Sequence, residues 1–242
     1  MKHFLIALQF LTTIPIKIKP SLDKIPQSLI YFPAVGLFLG AILTIFNILL
    51  TGIHLPAFLV NVILVVSLII LTGSLHLDGL ADTFDAFLSG KPKSEMLKIM
   101  RDSHIGTMGV LSLISVILLK IGLLGSLNPA AKNGSLLLMC VLSRYVLVFS
   151  IFKFPYARET GKAKIFFNNI TIKTLSLSSL ISLILAVILL KIKGIILFFM
   201  LLIFVFLLGK FITKKIGGLT GDSLGAITEI TEVFILFFCL SL

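Results

Sequence analysis

The sequence predicts an all-α integral membrane protein, a polytopic helix bundle with about seven spans and a short N-terminal apolar helix. The first observation is composition: 58% of the 242 residues are hydrophobic and 13% are charged, with a mean hydropathy of +1.17. The second is that apolar runs long enough to cross a bilayer recur along the chain. In lipid the backbone must satisfy its own hydrogen bonds, so these runs form helices. The composition excludes a soluble globular protein, a disordered chain and a disulfide scaffold.

The expected spans form a single membrane-embedded domain over residues 1–242. They cover roughly residues 28–50, 57–75, 107–127, 135–152, 175–190, 194–209 and 227–242. Segment 4–16 is too short to cross comfortably, and no small-residue cleavage site of a signal peptide follows it. We expect it to be retained, either as a short span or as a helix in the interface. Cys140 and Cys239 lie inside apolar runs and are expected to be embedded hydrophobic residues.

The orientation follows from the loop charges. The net charge is +11, and the lysines and arginines concentrate in loops 17–27, 76–106, 153–174 and 210–226. These loops alternate with loops that carry few charges, so the positive-inside rule places them in the cytoplasm. We expect a multi-pass protein of the plasma or inner membrane with its active site on the cytoplasmic side. No basic patch is interleaved with exposed aromatic residues, which argues against a nucleic-acid partner.

Eight of the ten acidic residues lie in two stretches, 78–102 and 222–232; the exceptions are Asp23 and Glu159. In the first stretch Asp78, Asp82 and Asp85 are spaced i, i+4 and i+7, which places them on one helical face within an arc of about 60°. Clustered carboxylates repel one another, and Mg²⁺ would offset that repulsion. The alternative is that they are solvated or paired with nearby lysines.

The stretch 98–109 combines cations, an acid, hydroxyls and glycines. Lys98 and Arg101 can neutralise phosphate charge. Asp102 and Ser103 have a simpler interpretation, which is to cap the span that follows. His104 has either a structural or a catalytic role.

The stretch 217–232 combines four glycines with Asp222, Glu229 and Glu232. Small residues alone indicate a helix-packing seam. Glycines together with three acids favour a wall of a ligand or metal site, with Asp222 and Glu229 on one helical face.

Two basic residues fall inside expected spans. Arg144 lies near the centre of its span, so we expect it to face the bundle interior and meet an acid or a phosphate. Lys120 lies nearer the outer end of its span, and we expect its side chain to extend to the membrane surface.

Together these motifs resemble the cobalamin-5′-phosphate synthases, or adenosylcobinamide-GDP ribazoletransferases. The resemblance extends over most of the chain. It is carried by ALQFLTTIPI (7–16), YFPAVGLFLG (31–40), HLDGLADTFDAFLSG (76–90), IMRDSHIGTMG (99–109), SRY (143–145), PYARETG (155–161) and GGLTGDSLGAITEITE (217–232).

The resemblance implies a Mg²⁺-dependent membrane enzyme. It joins adenosylcobinamide-GDP to α-ribazole or its 5′-phosphate and releases GMP, through attack of the ribose 3′-hydroxyl on the phosphorus next to the cobinamide. We assign Mg²⁺ to Asp78, Asp82 and Asp85, with Asp102 or Asp222 completing the set. Substrate binding is assigned to Lys98, Arg101, Arg158, Asp222 and Glu229. The proton acceptor is expected to be one of the aspartates, foremost Asp82 and Asp85, or His104.

Two alternatives remain open. A membrane phosphotransferase of the CDP-alcohol type shares the start DGLA (78–81) but expects an arginine where Asp82 stands, and its later aspartates are absent after Gly90. A secondary transporter would use the carboxylates as an ion relay, but such proteins often contain internal repeats, which this sequence lacks. The sequence leaves open whether the chain forms a homo-oligomer.

Overall fold

The structure is a computed structural model that describes residues 2–19, 24–161 and 163–241. It is helical, as predicted, and the described residues contain a single isolated β-bridge and no strand. The α-helices are α1 (Lys2–Leu11), α2 (Lys24–Gln27), α3 (Phe32–Gly52), α4 (Ala57–Thr72), α5 (Leu75–Leu88), α6 (Lys93–Ile99), α7 (Thr107–Ser126), α8 (Pro129–Lys153), α9 (Lys164–Asn168), α10 (Ile172–Leu190), α11 (Ile192–Ile216) and α12 (Gly221–Cys239). A 3₁₀ turn over Ser28–Tyr31 joins α2 to α3. Asp23, Lys162 and the last residue of the expected span 227–242 lie outside the described residues.

Five segments of the described chain are long and apolar enough to cross a membrane: Lys24–Gly52, α7, α8, α10 and α11. A sixth is formed if α4 and α5 together make one bent span. The seventh expected span corresponds to α12, which has 19 residues but carries three carboxylates. The N-terminal apolar helix is confirmed as α1; its ten residues extend about 15 Å, half of the hydrocarbon thickness.

Two predicted boundaries are wrong for the same reason, a capping side chain outside the apolar run. Helix α8 begins at Pro129, not 135, because the side chain of Asn128 accepts a hydrogen bond from the Ala130 amide (3.0 Å). Helix α12 begins at Gly221, not 227, because Thr220 and Ser223 form a reciprocal capping box. Helix α11 also continues to Ile216, beyond the predicted end at 209, so the loop expected over 210–226 shrinks to residues 217–220.

Helix α8 is the centre of the bundle and packs against α3, α12, α10 and α11. Gly36 and Gly40 bring α3 unusually close to it: a Cβ at Gly36 would lie 2.8 Å from the Val141 Cα, and one at Gly40 would lie 2.8 Å from the Leu137 Cα. This small-xxx-small spacing is a typical device for close helix contact in membranes.

Helix α5 leaves the direction of α4 by 91°. The turn is made by Gly73 and Ser74, whose φ angles of 60° and 59° are left-handed. Thr13, from the segment after α1, satisfies carbonyls freed at the break: its amide donates to the Leu71 oxygen (2.8 Å) and its hydroxyl donates to the Ile70 oxygen (3.0 Å). The bend lays α5 against α7 and α12.

Candidate active site

The first turns of α5 and α12 touch at glycines. A Cβ at Gly79 would lie 2.9 Å from the Asp222 Cα, and one at Gly225 would lie 2.9 Å from the His76 oxygen. Any larger side chain at these two positions would force the helices apart. Gly225, one of the four glycines of 217–232, thus serves the close helix contact that small residues alone indicated, and with Gly79 it places Asp222 beside the aspartates of α5.

The segment that carries Arg158 is fixed to the start of α12. The amide of Ala157 donates to the Leu219 oxygen and the amide of Leu219 donates to the Pro155 oxygen, each over 2.8 Å. These two bonds form the isolated parallel bridge between Tyr156 and Leu219. Two motifs that lie about 60 residues apart are therefore joined by backbone hydrogen bonds.

A cavity of about 280 Å³ lies where these elements meet. Of the ten residues expected at the site, three line it: Asp78, Arg158 and Asp222. The other side chains at its wall include His76 and Tyr156, which the sequence reasoning missed, and an apolar group from α1, α3, α8 and α9. His76 and Tyr156 lie inside the motifs 76–90 and 155–161, which was the available signal for these two residues.

Charge is unevenly balanced beside the cavity. Arg158 donates from a terminal nitrogen to an Asp222 carboxylate oxygen over 2.7 Å, and both side chains are largely buried. The Nε of Arg158 is buried without a hydrogen-bond partner in the described residues. Asp82 is half-buried and lies within Coulombic reach of Asp78, Asp222, Arg158 and Asp85. Asp78, Asp82 and Asp222 thus gather around one guanidinium, while Asp85, the fourth carboxylate, is bound by amides at the start of α7.

Tyr156 and His76 bring neutral polar groups to the same wall. Burial raises the pKa of the Tyr156 phenol, so at neutral pH its hydroxyl can donate a hydrogen bond. The His76 side chain is 4% exposed, and its Nε2 has no hydrogen-bond partner among the described residues. A bound ligand or water would satisfy such an atom.

Asp85 is on the same helical face as Asp78 and Asp82, but its carboxylate caps α7. Its two oxygens accept from the amides of Gly106 and Gly109, each over 2.7 Å. A side chain at either glycine would collide with this carboxylate, which explains both glycines of IGTMG. The capping role considered for Asp102 and Ser103 is therefore wrong, since Asp85 from α5 fills it.

Asp102 and His104 form a local pair on the surface. The Asp102 carboxylate accepts from the His104 amide (3.0 Å), and it also bonds the ring Nδ1 (2.7 Å). These hydrogen bonds, the backbone one foremost, lower the pKa of Asp102. Both side chains are well exposed, and neither lines the cavity within the described part of the chain.

The two cations of the 98–109 motif differ in position. Lys98 is exposed and pairs with Glu95 over 2.9 Å, away from the cavity. Arg101 is also exposed, but it donates to the Thr160 oxygen (3.4 Å) and so lies beside the segment that carries Arg158. Arg101 is therefore the closer of the two to the site.

Behind the cavity lies a buried ion network between α7, α8 and α12. Lys120 donates to Glu229 over 2.6 Å and also to Glu232. Arg144 donates to Glu232 and to the Ser143 hydroxyl, the latter over 2.7 Å. The prediction that Arg144 meets an acid in the bundle interior is confirmed.

One prediction about this network needs correction, and one residue assigned to substrate binding lies within it. Lys120 does not extend to the membrane surface; it is 4% exposed, because two carboxylates of α12 offer it a partner inside the bundle. Glu229, assigned to substrate binding, is 5% exposed and does not line the cavity in the described residues. Its carboxylate is engaged by Lys120 instead.

No group of three or more His, Cys, Asp or Glu side chains is close enough to hold a metal ion by itself, within the residues described. Mg²⁺ commonly needs only one or two carboxylates together with substrate phosphates. The metal set Asp78, Asp82, Asp85 and Asp102 therefore stays a prediction. Of these, the Asp78 and Asp82 carboxylates accept no side-chain hydrogen bond from the part of the chain that the structure describes.

Comparison with known proteins covers all the motifs that meet at this cavity. The family model of cobalamin-5-phosphate synthase matches residues 3–240. Among curated relatives, the adenosylcobinamide-GDP ribazoletransferase of Acetivibrio thermocellus is 39% identical, covering 98% of this chain and 96% of its own length. Proteins of the same name from Fusobacterium nucleatum and Clostridioides difficile are 38% and 34% identical, with the same two coverages. No solved structure matches the chain. The chain belongs to the cobalamin-5-phosphate synthase family of transferases.

Proposed function

We propose that this protein transfers the adenosylcobinamide phosphate group from adenosylcobinamide-GDP to α-ribazole, or to its 5′-phosphate, and releases GMP. The relatives' printed name supports the substrates. The observation that carries the proposal for this chain is that Asp78, Arg158 and Asp222 line one cavity and that Asp82 lies within Coulombic reach of all three. Transfer at a diphosphate needs positioning and charge stabilisation more than covalent catalysts.

Mg²⁺ is the proposed cofactor, held by Asp78 and Asp82 with Asp222 beside them. Three carboxylates against one guanidinium leave two negative charges uncompensated, which suits one divalent ion. When bound, the ion would neutralise charge on the diphosphate. Asp85 contributes by fixing the start of α7, and Asp102 lies outside the cavity wall.

Arg158 is the proposed diphosphate ligand. Its pairing with Asp222 uses one of its five N–H donors, and its buried Nε–H is left without a partner in the described residues. A phosphate oxygen would satisfy that donor, and a guanidinium can bind phosphate in a bidentate manner. Arg101 adds positive charge at the rim, and Lys98 adds it from farther away.

In the proposed step the acceptor's ribose hydroxyl attacks the phosphorus next to the cobinamide. An O–P bond forms, the P–O bond to GMP breaks, and the hydroxyl proton passes to a carboxylate. Asp78, Asp82 and Asp222 are better placed than His104 to accept it, because His104 is on the exposed loop before α7. We also propose that the protein lies in the plasma membrane with this site on the cytoplasmic side. The basic loops on the side of the site support that orientation.

The test is GMP release by purified protein in liposomes, with adenosylcobinamide-GDP, α-ribazole and Mg²⁺ each omitted in turn. Release should require all three and yield a cobalamin product. Asp82→Asn should lower it by about 100-fold or more, while Glu95→Gln, an exposed acid outside the cavity wall, should not. No release from well-folded wild-type protein would refute the proposal. Flux of a solute into sealed vesicles without a product would indicate a transporter instead.

A further inference from the structure

The cavity has two chemically different walls. One is charged and comes from α5, α12 and the 155–161 segment, with Asp78, Arg158 and Asp222. The other is aromatic and comes from α1, α3 and α9, with Phe10, Phe32 and Phe166. A ligand that fills this space must present an anionic or hydroxylated group to one wall and a flat apolar group to the other.

The aromatic wall is pre-organised. The ring centroids of Phe10 and Phe166 are 4.8 Å apart with the planes at 66°, and Phe32 lies 6.1 Å from Phe10 and 6.0 Å from Phe166. Phe32 and Phe166 are almost fully buried and hold their positions by packing, whereas Phe10 is 40% exposed. Phe10 is therefore the ring with surface free to contact a further planar group, and Phe32 and Phe166 support it from behind.

We propose that this aromatic wall binds the planar base of the acceptor nucleoside, so that Phe10, Phe32 and Phe166 set the acceptor specificity of the transferase. The inference rests on the proposed function. A cavity volume of about 280 Å³ suits one nucleoside-sized group and is too small to enclose a corrin ring. The corrin therefore lies outside this cavity.

Connectivity selects the acceptor's base over the donor's guanine. The acceptor's base is attached to the ribose whose hydroxyl attacks, so only that ribose separates the base from the reacting phosphorus. The guanine is separated from the same phosphorus by a second phosphate and a ribose. Arg158 and the aromatic wall line the same small cavity. The base that fits there beside a phosphate bound to Arg158 is the one closer to the reacting phosphorus, which is the acceptor's base.

A single tryptophan tests this placement, because the natural chain contains none. Phe10→Trp puts the reporter in the aromatic wall at a position with room for a larger ring. Phe46→Trp is the matched control: Phe46 is nearly as exposed as Phe10 (39% against 40%), lies on α3, and is not at the cavity. Each variant is titrated with α-ribazole and, separately, with GMP, in liposomes.

We expect a saturable change in Phe10→Trp emission with α-ribazole, no such change with GMP, and no response from Phe46→Trp. A response to GMP alone would assign the wall to guanine and overturn the inference. No response at α-ribazole concentrations that saturate turnover would also overturn it. An emission that follows only the acyl chain length of the surrounding lipid would assign the wall to lipid.

Kinetics supply the second readout. Phe10→Leu should raise the KM for α-ribazole roughly tenfold, within the range that loss of a base–aromatic contact produces, and leave the KM for adenosylcobinamide-GDP within about twofold. Equal increases in both KM values would overturn the inference. Because wild-type turnover is measured in parallel, a failed proposed function is recognised by its absence and is not confused with a failed base site.

Discussion

Removing the Glu232 carboxylate should destabilise the protein more than removing any exposed acid. Glu232 is completely buried and pairs with both Lys120 and Arg144. In wild type two cations face two anions; in Glu232→Gln one buried positive charge is left uncompensated. Arg144 is the residue most affected, because in the described residues its remaining partner is the Ser143 hydroxyl.

The expected magnitude follows from this burial. Breaking a buried ion pair from one side typically costs about 3–5 kcal/mol. For a chain of this size 1 kcal/mol corresponds to about 2–4 °C, so the unfolding midpoint should fall by about 6–20 °C. Glu229→Gln should cost less, since Lys120 keeps Glu232 as a partner.

The assay uses the chain's two cysteines, Cys140 and Cys239, which are both free and buried. A maleimide dye reacts with them only as the bundle opens, so its fluorescence during heating reports unfolding in detergent. Glu95→Gln is the control, because the exposed Glu95–Lys98 pair contributes at most about 1 kcal/mol. A midpoint for Glu232→Gln equal to that of the control, or one above that of Glu229→Gln, would refute the reasoning.

Three further substitutions test the site's construction. Gly79→Ala should destabilise the protein by about 1–3 kcal/mol and slow GMP release, because its Cβ would displace Asp222. The maleimide-dye assay measures the loss of stability, and GMP release measures the loss of turnover. Asp85→Asn should cost about 0.5–2 kcal/mol through the α7 cap with an unchanged Mg²⁺ requirement, and a raised Mg²⁺ requirement would show metal binding instead. Arg158→Lys should raise the KM for adenosylcobinamide-GDP about tenfold, whereas Glu159→Gln, a change at an exposed neighbour, should leave it unchanged. The same KM in both variants would contradict the diphosphate role of Arg158.

Much of the site was visible in the sequence because its chemistry is local. The i, i+4, i+7 spacing of Asp78, Asp82 and Asp85 predicted a helical face, and α5 provides it. The spans were predictable because apolar runs need no partner to be recognised. Their ends were less so, since Asn128 and Thr220 act as caps outside the apolar runs.

Long-range partners were the part that spacing did not contain. Lys120 was expected at the surface from its depth in α7, but its partners are on α12, more than a hundred residues later. Asp85 was assigned to Mg²⁺, and spacing could not reveal that it also caps α7, because the glycine amides that it binds lie 21 and 24 residues further along the chain. In both cases the role of a charged side chain was inferred from its position in its own helix. The partners that stabilise its charge are on a different segment.

The bend between α4 and α5 connects the fold to the proposed chemistry. In a straight helix Asp82 would lie about 15 Å beyond Thr72, out in the water and far from any apolar wall. The left-handed turn at Gly73 and Ser74 lays α5 across the bundle instead, against the first turn of α12. Asp78 of α5 and Asp222 of α12 thereby line one cavity with phenylalanines of the bundle, and Asp82 lies beside them. A site that must hold a charged diphosphate and a flat apolar base side by side is built most directly at this depth, where water and hydrocarbon are both within reach.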